Sequence, residues 1–106
     1  MQIQKRKVRE ADITRNIRKL LNYHGIFHSK IWQGMMSAKG ISDIIGCYKG
    51  RYFAIEVKRP GGNPTSFQEK FLEDVKRAGG IAIVARSVDD VIRGLGLKEL
   101  ISTKFS

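Results

Sequence analysis

Residues 40–59 read GISDIIGCYKGRYFAIEVKR, and the way this stretch pairs with itself decides the fold. Two apolar, strand-like runs meet at Lys49-Gly50, which suits a tight turn, and Pro60 stops the second run. The segment is therefore predicted to be a β-hairpin, GISDIIGCY followed by RYFAIEVKR. With Lys49 and Gly50 as the two loop residues, Tyr48 faces Arg51 and paired positions sum to 99, which sets Asp43 opposite Glu56. Opposed residues share a sheet face with Cβ atoms about 4.5–5.5 Å apart, where like charges repel. Lys58, two residues on from Glu56, falls on the same face and diagonal to Asp43. The other face carries Ile44, Tyr48, Phe53, Ile55 and Val57, a core side. A bulge or a three-residue loop would break this pairing.

Charges inside a strand are expensive unless something there needs them. Two carboxylates so close require a shared proton or a cation between them. A hard divalent ion with oxygen ligands and several waters satisfies that need, which points to Mg²⁺ or Mn²⁺. A plainer reading stands beside it: Asp43 caps a turn or sits on an edge strand, and Glu56 with Lys58 forms a solvated ion pair.

Outward from the hairpin, a first helix is predicted from Glu10 to Tyr23, ending at Gly25 as a C-terminal cap. Ile13, Ile17, Leu20 and Leu21 form its apolar stripe, and Glu10 falls inside that stripe whereas Asp12 points away. IFHSKIW (26–32) has strand composition and QGMMSAKG (33–40) reads as a flexible loop. After the PGGNP loop a second helix starts at Thr65 or Ser66, with Gln68 and Glu69 as candidate capping-box partners. Phe67, Gln68, Phe71, Leu72, Val75 and Ala78 lie on its inward arc. IAIVAR (81–86) is a short buried strand, and Ser87 is predicted to cap a last helix, VDDVIRGL. Strand, helix, strand over 51–86 makes a crossover unit, so the last strand runs parallel to the one before it. The fold class is therefore α/β, a mixed sheet flanked by helices.

The 106 residues suit one domain with one modest core. There is no apolar run long enough to span a membrane, and the polar, basic start MQIQKRKVRE is no secretory leader. A lone cysteine, Cys47, fits a reducing intracellular setting and is expected to be a small packed residue. A net charge of +10 favours a polyanionic partner, and without a long basic amphipathic helix that partner is nucleic acid rather than a membrane surface. His24 and His28 lack companion ligands at convincing spacing and read as structural. PGGNPTS lacks the Gly-Lys-Ser/Thr pattern of a phosphate-cradling loop. Glu10 alone is also explained as a first-turn acid on the helix dipole, and Gln68 as a helix cap.

The ordered set Glu10, Gly40-Ile41-Ser42-Asp43, Glu56-Val57-Lys58 and Gln68 resembles the PD-(D/E)XK nuclease core, which has a restriction-endonuclease-like fold. Within it, the chain is most similar to the VRR-NUC family in its stand-alone, phage-type form, from Glu10 to Ala85-Arg86-Ser87. It departs from the wider pattern in having Ser42, where many relatives place Pro before the Asp. The resemblance implies that Asp43 and Glu56 hold the metal with the Val57 carbonyl, and that Glu10 adds a carboxylate directly or through water. It implies that Lys58 orients or helps deprotonate the attacking water, supported by Gln68. Lys5, Arg6, Lys7, Lys39 and Arg59 would hold the nucleic-acid backbone, although any one of them taken singly reads first as a solvated surface charge.

The expected activity is then metal-dependent hydrolysis of DNA by an intracellular homodimer (in the host cytoplasm if the source is viral), selective for branched substrates such as four-way junctions. A non-catalytic basic nucleic-acid-binding protein is the alternative, with a degraded carboxylate set as its signature. A ribosomal-type basic scaffold would have no reason to align three charges on one sheet face.

Overall fold

The computed structural model describes residues 8–32 and 39–98. Lys49 (φ 51°) and Gly50 (φ 79°) both adopt positive φ, the signature of a type I′ turn, whose twist matches that of the strands it joins. The turn joins β2 (Ile44–Tyr48) to β3 (Arg51–Val57), with Tyr48 opposite Arg51 and Ile44 opposite Ile55, the register expected from the sequence. Both strands are shorter than expected, because the chain bends at Asp43 before β2 and leaves β3 after Val57. β1 (Phe27–Lys30) pairs antiparallel with β2, and β4 (Ile81–Ala85) pairs parallel with β3, so the sheet order is β1-β2-β3-β4.

Three helices cover the two faces. α1 (Glu10–Tyr23) ends in a Schellman turn, in which Gly25 at φ 67° donates to the Asn22 carbonyl and Ile26 donates to that of Leu21. Its stripe of Ile13, Ile17, Leu20 and Leu21 packs with Val91 and Leu95 of α3 (Val88–Leu95) onto Ile44, Phe53, Ile55 and Val57. α2 (Ser66–Arg77) covers the opposite face, where Leu72 and Val75 meet Ala54, with Ile45 and Val84 beside them. β3 is thus buried on both sides and carries the continuous run Phe53–Val57 without one exposed residue. Gly46 is required within β2 because the Phe53 ring crosses directly over it, where any Cβ would overlap the ring. The result is an α/β fold, a four-stranded mixed sheet between helices, compatible with a restriction-endonuclease-like core.

Three expectations of detail are corrected. Cys47 is exposed, because α2 covers the sheet over Ile45 and Ala54 and leaves open the turn end, where Cys47 pairs with Tyr52. Phe67 is 54% exposed and Ala78 is also exposed, since they lie at the two ends of α2 beyond the strands it covers. Ser87 occupies the N-cap position of α3 but makes no side-chain cap bond, and the Asp90 carboxylate instead accepts from the Arg86 N–H at 2.8 Å. Among the described residues no helix is long and apolar enough to cross a membrane.

Candidate active site

The bend at Asp43 puts its backbone and its side chain to separate uses. Its carbonyl accepts from the Ile31 N–H at 2.7 Å, which carries the β1–β2 pairing one step past β2. Its Oδ2 accepts from the Val57 N–H at 2.8 Å. In the hydrogen-bond alternation that starts at Tyr48–Arg51, that N–H faces the Ser42 carbonyl, so a carboxylate takes the place of a ladder acceptor. Asp43 is thereby fixed at the end of β3, next to Glu56.

Glu56 is 2% exposed, on the face of β3 that α2 covers. Its Oε2 lies 3.9 Å from the Lys58 Nζ, whereas its Oε1 is buried with no hydrogen-bond partner. Burial pushes its pKa from 4.5 up to about 8, helped by the nearby Asp43 carboxylate and by the charge of Glu10, and opposed by Lys58. Without a cation, the group is therefore held as a neutral acid at pH 7. An orphaned, nearly inaccessible carboxyl oxygen is a costly feature that a structural role does not require.

The remaining residues close around this pair. Glu10, at the start of α1, is exposed, and its Oε2 accepts from the Arg59 N–H at 3.4 Å, which ties the helix to the chain just beyond Lys58. Thr65 and Gln68 form the capping box of α2: Gln68 Oε1 accepts from the Thr65 N–H at 2.8 Å, and Thr65 Oγ1 accepts from the Gln68 N–H at 3.2 Å. Gln68 is thus a helix cap and a cleft residue at once. Gly40, at φ 79°, rests on the first turn of α2, where a Cβ would overlap the Phe67 carbonyl. The Lys39 Nζ lies 4.5 Å from the centroid of the Phe67 ring.

Glu10, Lys39, Asp43, Glu56, Lys58 and Gln68 all line one cleft of about 280 Å³. A second, more open recess of about 520 Å³ shares Glu10 and Lys58 with it and adds Arg9 and Arg59. All five expected catalytic residues therefore come together, as do Lys39 and Arg59 at the rim. Val57 contributes its N–H to Asp43 and its side chain to the core. Lys5, Arg6 and Lys7, and residues 33–38 of the expected flexible loop, lie outside the described residues.

Arg86 was not singled out from the sequence. Its guanidinium donates to the Gly62 carbonyl at 2.7 and 3.2 Å and to Asn63 Oδ1 at 3.2 Å, which pins the loop that follows Lys58 and Arg59. The only sequence signal was an arginine directly after the apolar run 81–85.

Among the described residues no group of three or more His, Cys, Asp or Glu side chains is arranged to hold a metal ion. The residues present nevertheless fit a magnesium-like ion, which is commonly held by one or two carboxylates with several waters. Asp43 supplies one carboxylate, Glu56 supplies another with an unsatisfied oxygen, and a cation there would remove the unfavourable pairing between them. Neither the scan against protein-family models nor the search of curated proteins returns a match.

Proposed function

We propose that this chain is a metal-dependent DNA endonuclease that hydrolyses phosphodiester bonds, selective for branched DNA such as four-way junctions, with Mg²⁺ or Mn²⁺ as cofactor. The observation that carries this reading is the Asp43–Glu56 pair. A buried carboxyl with an orphaned oxygen is pressed against a second carboxylate and a lysine, at a cleft rimmed by basic residues. When bound, the divalent ion supplies a more acidic water and offsets the charge that develops on the phosphate.

The chain's own residues divide the remaining work. Asp43 and Glu56 hold the ion with the Val57 carbonyl, and Glu10 adds a further carboxylate from the helix side. Lys58, 14% exposed, lies beside Glu56, which supports a role in orienting the attacking water and offsetting phosphate charge. Gln68 supports this group from α2. Lys39, Arg59 and the segment Lys5–Lys7 hold the nucleic-acid backbone, with affinity that falls as salt rises and little sequence preference. The protein acts as a homodimer, so that two sites meet a two-fold substrate.

A second reading has one observation in its favour. With no three ligating side chains grouped among the described residues, the chain would bind nucleic acid without cutting it. Incubating it with an end-labelled four-way junction and a matched linear duplex, in Mg²⁺, in Mn²⁺ and in EDTA, separates the two. Cleavage with either metal, absent in EDTA and favoured on the junction, is the expected result. Tight binding without cleavage in every condition would overturn the nuclease reading.

A further inference from the structure

A separate groove of about 450 Å³ runs along α1 to the end of β1, and its lining includes Arg15, Arg18, Lys19, Lys30 and the indole of Trp32. Trp32 is 75% exposed, which is unusual for the largest apolar side chain, and the Lys30 Nζ sits 3.9 Å from its ring centroid. Arg15 shares Asp12 with Arg9. Arg18, Lys19 and Lys30 meet no carboxylate among the described residues, and the groove has no acid in its lining.

The groove is tied to the carboxylate cleft at both of its walls. On the helix wall, Ala11 follows Glu10 directly. On the strand wall, Ile31, the neighbour of Trp32, donates its N–H to the Asp43 carbonyl at 2.7 Å. Eight residues of helix separate Glu10 from Arg18, about 12 Å. That is three to four nucleotides at about 3.4 Å each.

We propose that Trp32, with Arg18, Lys19 and Lys30, is a platform on which an unpaired base of the bound nucleic acid stacks, a few nucleotides from the phosphodiester held at Asp43 and Glu56. An indole that is 75% exposed, among cations that meet no carboxylate among the described residues, matches a ligand that carries both π-faces and phosphates, and a single strand offers both. In a continuous duplex the base faces are covered by their neighbours, so the platform favours substrates with unpaired nucleotides at a junction or end. The inference rests on the nuclease reading for its ligand and adds to it the feature of the substrate that is recognised.

Trp32 is the only tryptophan in the chain, so its emission reports on the platform directly. The wild-type protein in EDTA is titrated with an oligothymidylate of about twelve nucleotides. The same is done with a matched duplex, with inorganic polyphosphate, and with phosphatidylcholine vesicles containing about one quarter phosphatidylserine. Binding is followed in parallel by the anisotropy of labelled DNA. Quenching by the single strand, with little from polyphosphate or vesicles, is expected. Trp32→Ala should weaken single-strand binding about 5- to 150-fold, with a smaller effect on duplex and substantial recovery in Trp32→Phe.

Single-strand binding that leaves the emission unchanged, or equal losses on single strand and duplex, would overturn the platform while junction cleavage upheld the nuclease reading. A blue shift on vesicles without a response to DNA would assign the groove to a membrane surface and overturn it. An emission that changes on dilution of the protein alone and ignores DNA would assign the groove to a second copy of the chain, and the platform would again be overturned. If the wild-type protein neither binds nor cleaves any nucleic acid, the platform and the nuclease reading fall together.

Discussion

Replacing Glu56 by Gln should stabilise the metal-free protein at alkaline pH, because the carboxyl at this position resists ionisation. Its pKa rises from 4.5 to about 8 on folding, which corresponds to on the order of 5 kcal/mol of disfavoured charge. Since the folded value lies above the unfolded one, the stability linked to this proton is complete below about pH 4.5 and is lost as pH rises to about 8. That is a large part of the roughly 5–15 kcal/mol that holds a small domain together. Glu56→Gln removes this proton while keeping the side-chain volume. Urea unfolding in EDTA at several pH values from 5 to 9 measures the effect. Wild type should lose roughly 2–5 kcal/mol over this range relative to the variant, and Mg²⁺ should restore most of it to wild type alone. Parallel stability curves for the two proteins would show that Glu56 ionises freely, and would refute the claim that burial and Asp43 hold it protonated.

Three other substitutions bear on how the site is assembled. Gly40→Ala, which forces a side chain into a positive φ and onto the Phe67 carbonyl, should destabilise the protein by roughly 2–4 kcal/mol in urea unfolding and abolish cleavage by displacing the Asp43 bend. Thr65→Ala removes one half of the capping box of α2 and should cost about 1 kcal/mol, seen as a fall in Tm. Arg86→Ala frees the loop carrying Gly62 and Asn63, and should speed limited proteolysis at residues 59–64 and lower cleavage at least tenfold.

The hairpin was legible because its turn is local: Lys49-Gly50 takes a two-residue loop, and that sets the register from Tyr48–Arg51 to Ile44–Ile55, one step short of Asp43 and Glu56. The α1 boundaries and the capping box of α2 were equally local, written in Gly25, Thr65 and Gln68. What a helix or strand covers was not, because that depends on where neighbouring elements end. Phe67 and Cys47 follow the apolar pattern of their elements and still reach solvent, since Phe67 sits at the first turn of α2 and Cys47 at the turn end of β2, beyond the contact that Leu72 and Val75 make with Ala54. The substitution of the Asp43 carboxylate for a ladder carbonyl and the grip of Arg86 on the 59–64 loop are contacts across 14 and 24 residues, which periodicity does not encode. Trp32 carried no sequence signal either, because its setting is made by residues of α1.

The most direct test of the hydrolytic site compares wild type with Asp43→Asn and Lys58→Ala on the labelled junction in Mg²⁺, with binding measured on the same substrate in Ca²⁺ or EDTA. Both variants should bind within a few-fold of wild type and lose cleavage by roughly 100-fold or more. Cleavage that survives in both variants at near wild-type rate would place the chemistry elsewhere and leave the charges at the end of the hairpin without a catalytic role.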